Sequence, residues 1–215
     1  MKRKSEKSIL VAFDRDNTLI YDDGYFGKDD NWREKIRFYE GAVDTIKAVN
    51  NLADVIVATN QIGVALGLYG PERVEEINKH IDSLLKKKGA KIDGWYFCPY
   101  VEKSWAQKKG LDLNSPWVLE GFPENRKPRI GMLETAAADL GKNLSFYKKI
   151  FVIGDSLDDI NLALNVDGIG IFFKNKKNED LLREVESLRS LNPDKVFYVD
   201  NLISAIKIIE SIIKK

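Results

Sequence analysis

Short apolar runs that end in polar residues recur along this chain and limit what it can fold into. Three runs are apolar at every position, as are strands buried on both faces of a parallel sheet: Ile9–Phe13, Val55–Ala58 and Ile150–Ile153. Three further stretches are weaker strand candidates: Trp95–Phe97, Gly168–Phe173 and Val196–Val199. The sequence therefore predicts a buried sheet of several parallel strands.

Segments with helical spacing of apolar residues separate these runs: Ala42–Leu52, Pro71–Lys88, Met132–Leu140, Asp158–Leu164, Leu181–Leu188 and Leu202–Ile213. Alternation of strands and helices predicts an α/β fold, a Rossmann-like three-layer sandwich with a mainly parallel sheet. Right-handed crossovers bring the carboxyl ends of all strands to one edge, where ligands bind in such folds.

Three segments interrupt the alternation within the single predicted domain, residues 1–215. Residues 1–7 are basic and predict a flexible tail. Residues 20–39 have room only for a small flap, and residues 99–126 for an irregular loop over the active site. We therefore expect a minimal cap and an open site.

Two carboxylates spaced by one residue, Asp14 and Asp16, follow the first apolar run directly. Side chains at a strand end point into the same crevice, and their mutual repulsion favours a bound cation. Mg²⁺ prefers carboxylate and phosphate oxygens, and a carboxylate is itself a nucleophile toward phosphorus. The alternative is a pair of ordinary acidic turn residues.

Thr59, Lys127 and Asp155 stand at the ends of other predicted strands or in the loops beside them. A hydroxyl and an ammonium can hold phosphate oxygens, and a third carboxylate can bind the same cation. Each has a structural alternative: a helix cap, a surface lysine and a first-turn acid. Their common position at one edge favours a functional site.

Four motifs in order carry a family resemblance: Asp14-Arg15-Asp16, Thr59-Asn60-Gln61-Ile62-Gly63, Arg126-Lys127-Pro128 and Gly154-Asp155. With them the chain resembles the haloacid dehalogenase superfamily, and within it the branch that contains heptose bisphosphate phosphatases and histidinol-phosphate phosphatase domains. The resemblance covers nearly the whole chain. It implies a Mg²⁺-dependent phosphatase that acts on a small phosphorylated metabolite, such as a sugar phosphate or histidinol phosphate.

The resemblance also implies catalytic roles. Asp14 is the nucleophile that forms an aspartyl phosphate, and Asp16 is the acid and then the base. Thr59 and Lys127 bind the transferring phosphoryl group, whose charge Lys127 and Mg²⁺ neutralise. The substrate-binding candidates are Asn60, Gln61 and Arg126. A guanidinium can grip a second phosphate or a carboxylate, although Arg126 can equally be a surface arginine.

The metal ligands implied by the resemblance are Asp14, Asp16, Asp155 and Asp159, with Asp158 competing for the role of Asp159. Asn17 replaces a glycine common in the family, and asparagine tolerates unusual backbone angles better than most residues.

Many relatives carry a structural zinc site, of which this chain keeps only Cys98. Tyr100, Pro123 and Asn125 occupy the other ligand positions, and one thiolate cannot hold tetrahedral zinc. We expect no zinc, and we expect packing of the aromatic side chains Trp105, Trp117 and Phe122 to hold the loop instead. Trp32 and Trp105 are either anchors or substrate platforms, and His80 is expected to be exposed and without a catalytic role.

The formal net charge of +1 gives the chain no global attraction to nucleic acid or membrane. A phosphatase of nucleic-acid 3′ ends is therefore a weaker hypothesis. A phosphate-binding protein without turnover is another, because Asp14 and Asp16 are both present. A single cysteine excludes an intramolecular disulfide and favours a reducing compartment. Without an apolar run of signal or membrane-spanning length, the expected location is the cytoplasm.

Overall fold

The structure is a computed structural model that describes residues 7–214. Its strands are β1 Ile9–Phe13, β2 Asp54–Asn60, β3 Gly94–Cys98, β4 Val101–Glu102, β5 Val118–Leu119, β6 Lys149–Gly154, β7 Ile169–Phe173 and β8 Val196–Val199. Its helices are α1 Trp32–Lys35, α2 Ala42–Val49, α3 Pro71–Lys87, α4 Lys103–Lys108, α5 Gly131–Asp139, α6 Leu157–Asn165, α7 Leu182–Leu191 and α8 Ile203–Ile213. Of the expected tail, only Lys7 lies within the described residues.

Six strands form one parallel sheet in the order β3-β2-β1-β6-β7-β8. Alternate residues of β1 point to opposite faces: Val11 and Phe13 enter a core with α2, α3 and α8, while Leu10 and Ala12 enter one with α5 and α6. A third cluster packs α7 against β7 and β8. The predicted three-layer α/β sandwich is confirmed, because the strands are apolar on both faces and must be covered twice.

Helix α3 shows how the sequence sets an element. Pro71 occupies the start of the helix, where its missing N–H costs nothing, and Gly89 follows the end with a φ of 77°. Val74, Ile77 and Ile81 recur on one face and are fully buried. Burial of each such side chain stabilises the fold by about 1.5–3 kcal/mol, which fixes the helix on the sheet.

Segment 99–126 is more ordered than the sequence pattern indicated. It holds α4 and a two-stranded parallel sheet of β4 and β5. These elements are two to six residues long, too short for a hydrophobic period to reveal them. Trp105 and Trp117 pack in its apolar cluster as expected. Phe122 lines a small cavity together with Trp105, and the guanidinium of Arg129 lies 5.4 Å from its ring centre.

The flap, residues 20–39, is an excursion closed at its base by pairing of Ile20 with Phe38. Trp32 is fully buried in the main core, so it anchors the flap and has no surface left for a substrate. The rings of Trp32 and His80 are nearly perpendicular, with their centres 5.7 Å apart. His80 was expected to be exposed, but it is half-buried. The contact with Trp32 covers part of the histidine, and the helical pattern of α3 could not predict it.

Among residues 7–214, every helix falls short of the length and apolar content that crossing a bilayer requires.

Candidate active site

The order of the strands creates a crevice beside β1. Strand connections run outward in opposite directions from β1 and β6, which leaves a gap at their carboxyl ends. Phe13 pairs with Ile153, so Asp14 and Asp155 leave their strands at nearly the same level. The amide of Asp14 also donates to the carbonyl of Ile153 at 2.9 Å. The sheet thus brings together two carboxylates that lie far apart in sequence.

Lys127 joins the carboxylates through two short ion pairs. Its Nζ lies 2.7 Å from Asp14 Oδ1 and 2.6 Å from Asp159 Oδ1. The exposed fractions are 2% for Lys127, 7% for Asp14 and 0% for Asp159. Although burial opposes its charge, the two carboxylates raise the pKa of Lys127, which therefore stays protonated at neutral pH. The lysine is a fixed positive charge directed at the proposed nucleophile.

Three acidic groups outnumber this single lysine. Ligand oxygens of Asp14, Asp155 and Asp159 all lie within 4.8 Å of one another. Burial, reinforced by Asp14 and Asp159, raises the pKa of Asp155 to about 8. Burial also raises the pKa of Asp14 to about 6, with Lys127 opposing the shift and Asp159 and Asp16 adding to it. The cluster is short of positive charge, and its all-oxygen ligand set fits a hard divalent cation such as Mg²⁺.

Asp159 owes its place to the start of α6. Ser156 and Asp159 form a capping box, in which the Asp159 amide donates to the Ser156 hydroxyl at 3.3 Å and the Ser156 amide donates to Asp159 Oδ2 at 3.2 Å. A methyl group on Gly154 would come within 2.1 Å of Asp159 Cγ, so glycine is required for space rather than for a tight turn. Asp158, the competing metal candidate, points elsewhere and lines a cavity of about 170 Å³ with Arg126.

The carboxylate of Asp16 lies outside the group of candidate ligands. Arg15 donates to both of its oxygens at 2.9 Å, and Gln61 Nε2 donates to Oδ2 at 2.6 Å. Asn17 takes a φ of 57°, the left-handed conformation that the family's glycine would adopt easily. The loop from Arg15 to Ile20 is closed by backbone bonds, which hold Asp16 beside Asp14.

The three expected substrate-binding residues have different environments. The Asn60 side chain accepts from the Lys127 amide at 3.0 Å and donates to its carbonyl at 3.2 Å, clamping that residue to the end of β2. Gln61 is 3% exposed and bonds to Asp16 and Thr59. Arg126 is half-buried and lines the small cavity beside Asp158. Arg126 thus borders a cavity, whereas Asn60 and Gln61 bond to other residues of the site.

Two asparagines after β7 were missed from the sequence. Asn175 Nδ2 lies 3.0 Å from the carbonyl of Asn17 and 3.5 Å from Asp155 Oδ2. Asn178 Nδ2 donates to the carbonyl of Asp155 at 2.8 Å. Both are buried and hold Asp155 in place. Their signal was polar residues following a buried strand, the same signal that identified Asp14.

Comparison with known proteins places the chain in a family. The polynucleotide kinase 3 phosphatase family matches residues 9–199. The D-glycero-beta-D-manno-heptose-1,7-bisphosphate 7-phosphatase of Photorhabdus laumondii is 29% identical over 156 residues, 71% of this chain and 73% of that protein. The D-glycero-D-manno-heptose-1,7-bisphosphate 7-phosphatase of Chlorobaculum tepidum is 27% identical over 210 residues, 94% of each chain.

Solved structures support the fold. The crystal structure of D,D-heptose 1,7-bisphosphate phosphatase from B. bronchiseptica, complexed with magnesium and phosphate, superposes with a TM-score of 0.68. The match covers 94% of this chain and 98% of that one at 20% sequence identity. A HAD-like phosphatase from Mesorhizobium loti gives a TM-score of 0.65 at 24% identity over 79% of this chain and 74% of that one.

Proposed function

Because this chain belongs to the polynucleotide kinase 3 phosphatase family and is a phosphoric monoester hydrolase of the haloacid dehalogenase superfamily, we propose that it hydrolyses a small sugar phosphate with Mg²⁺ and an aspartyl-phosphate intermediate. The observation that carries the proposal is the bridge from buried Lys127 to Asp14 beside two further carboxylates. A carboxylate held next to a fixed ammonium suits attack on a phosphoryl group, whose equatorial charge needs neutralising.

In the first step an Asp14 oxygen attacks phosphorus and the bond from phosphorus to the leaving oxygen breaks. Asp16 gives its proton to that oxygen, which departs as an alcohol. Thr59 and Lys127 hold the phosphoryl oxygens during transfer. Thr59 Oγ1 accepts a hydrogen bond from Gln61 at 3.0 Å, which orients the hydroxyl in the site.

In the second step Asp16, now a carboxylate, takes a proton from water. The water oxygen attacks phosphorus, and the bond between phosphorus and Asp14 breaks to release phosphate and free enzyme. Asp14, Asp155 and Asp159 would hold the Mg²⁺. When bound, the ion withdraws charge from the phosphoryl oxygens and offsets the repulsion among the carboxylates.

The pKa of Asp155 predicts how pH acts on stability without a divalent ion. The folded protein keeps a proton on Asp155 up to about pH 8, whereas the unfolded chain releases it near 3.8. This contribution to stability is complete below the lower value and is lost as pH rises through the higher one. With EDTA we therefore expect Tm to fall between about pH 5 and about pH 8, and Mg²⁺ to restore it most at the alkaline end. Differential scanning fluorimetry measures both effects.

The matched variant for this experiment is Asp155→Asn, which cannot lose the proton. Its Tm in EDTA should fall less steeply with pH than that of the wild type, and Mg²⁺ should stabilise it less. Identical profiles of Tm against pH for the two proteins would contradict a raised pKa of Asp155.

Two observations support a sugar phosphate as the substrate class. The relatives named above are heptose bisphosphate phosphatases, and residues 20–39 of this chain have room only for a short flap, from which we infer an accessible site. The test is a screen of phosphorylated sugars, histidinol phosphate and a 3′-phosphorylated oligonucleotide, each with Mg²⁺ and with EDTA. We expect Mg²⁺-dependent phosphate release from a sugar phosphate. Preferred hydrolysis of the oligonucleotide would transfer the assignment to nucleic-acid ends.

The covalent intermediate has its own test. Borohydride added during turnover reduces an aspartyl phosphate to homoserine, which mass spectrometry detects in the peptide that contains Asp14. Modification of that peptide only in the presence of substrate is the expected result. Its absence under conditions of full turnover would contradict a covalent route.

A further inference from the structure

The Asp16 carboxylate is surrounded by N–H donors on both oxygens. Arg15 approaches through Nε and Nη2, and Gln61 adds a third donor at 2.6 Å. Arg15 is 1% exposed and is itself fixed by Asn78, whose Oδ1 accepts from Nη1 at 2.8 Å. These three hydrogen bonds fix the orientation of the Asp16 carboxyl group.

Gln61 connects this carboxylate to the phosphoryl-binding side of the site. Its Nε2 lies within hydrogen-bond distance of both Asp16 Oδ2 and Thr59 Oγ1. The backbone N–H of Gln61 donates to the Cys98 carbonyl at 2.8 Å, so the backbone of Gln61 is also fixed to β3. One buried amide group therefore sets the spacing between Asp16 and Thr59.

Tyr69 determines which way the Gln61 amide faces. The Tyr69 hydroxyl donates to Gln61 Oε1 at 3.4 Å, which leaves Nε2 directed at Asp16. The ring occupies a slot between two glycines: a methyl group on Gly63 would lie 2.3 Å from the hydroxyl oxygen, and one on Gly27 would lie 3.1 Å from the ring. Because Gly27 belongs to the flap, the flap packs directly on this tyrosine.

We propose that Gln61 and Tyr69 are positioning residues that hold the Asp16 carboxyl group directed at the leaving oxygen. The inference deepens the proposed function and relies on it. Gln61 fixes the carboxyl group through Oδ2, and Tyr69 keeps the Gln61 amide in the donating orientation. Gln61 thereby acts through Asp16 and Thr59 rather than by touching the leaving group.

Dependence on the leaving group separates this role from a merely structural one. An alkoxide is a poor leaving group that needs the proton, whereas nitrophenolate departs without it. Loss of Gln61 should therefore slow hydrolysis of basic leaving groups selectively. A general loss of site geometry would slow all substrates alike.

The experiment measures kcat and KM for p-nitrophenyl, phenyl and benzyl phosphate, which have similar shapes and increasingly basic leaving groups. Hydrolysis of the aspartyl phosphate is common to all three esters, so the comparison uses kcat/KM, which reports the steps up to departure of the leaving group. We expect Gln61→Met to lower kcat/KM for benzyl phosphate by at least about tenfold, part of the 10²–10⁴-fold that general acids supply, with less than about threefold loss for p-nitrophenyl phosphate. Tyr69→Phe, which removes only a hydroxyl, should show the same trend with a smaller amplitude.

The matched controls are Gln107→Met and Tyr198→Phe, the same substitutions at exposed positions, which should leave all three rates unchanged. Equal losses across the series for both Gln61→Met and Tyr69→Phe would overturn the inference while leaving the phosphatase assignment intact. A wild-type protein that hydrolyses none of the three esters would instead overturn the proposed function, and this inference with it.

Discussion

Replacing Asp14 by asparagine should reduce turnover of phenyl phosphate by at least about 10⁴-fold, the scale on which loss of a covalent nucleophile acts. The amide matches the carboxylate in shape but cannot form the bond to phosphorus. The loss should appear in kcat and should persist at saturating Mg²⁺. Initial rates with and without the ion measure it.

The free energy of unfolding should change little in this variant, because two effects oppose each other. Lys127 loses one partner but keeps Asp159, and Asp155 loses a nearby like charge. The matched control is Asp54→Asn, which changes a buried aspartate at the opposite edge of the same sheet, bonded to Lys142 and Tyr147. It should retain turnover. An active Asp14→Asn enzyme would remove Asp14 from the reaction.

Replacing Lys127 by methionine should destabilise the fold by about 3–5 kcal/mol in EDTA, because removing one partner leaves buried charges uncompensated. Without the ammonium, Asp14 and Asp159 face each other and Asp155 with no internal cation. Added Mg²⁺ should restore part of the loss. Urea unfolding followed by circular dichroism gives the free energies, and turnover should fall by about 10²–10³-fold even with Mg²⁺ present.

A double variant tests the cause of that instability. Asp14→Asn should cost less when combined with Lys127→Met than additivity predicts, since it removes one of the stranded carboxylates. Lys142→Met provides the comparison, because Lys142 forms a 2.5 Å pair with Asp54 away from the site. That variant should lose stability but keep kcat. Additive free energies in the double variant would contradict a shared cluster.

The sequence predicted the sheet, the six helices that cover it and the polar residues at the carboxyl ends of its strands, because each depended on a short, local pattern. Continuous apolar runs located β1, β2 and β6, and the polar residues that end them identified Asp14, Thr59 and Asp155. The local pattern could not predict that Asp159, rather than Asp158, pairs with Lys127. Neighbouring residues at a helix start look alike in sequence, and only their rotation about the helix axis distinguishes them.

Contacts between distant segments were the part that the sequence did not reveal. Gln61 was expected to face a substrate, but the structure buries it between Asp16 and Thr59. Tyr69 carried no motif, and its position next to Gln61 arises from where the flap meets the site. The positions of such side chains depend on contacts between segments that are distant in sequence, and a hydrophobic pattern does not reveal these contacts.

The hydrogen bonds between Asn60 and the Lys127 backbone have a consequence for the segment that precedes the lysine. Both the amide and the carbonyl of Lys127 are tied to β2, and the next carbonyl, that of Pro128, accepts from Asn165 at 3.0 Å. Sequence changes in segment 99–126 should therefore leave the backbone of Lys127 in place. We expect a variant with an altered segment to keep the Lys127 ammonium between Asp14 and Asp159.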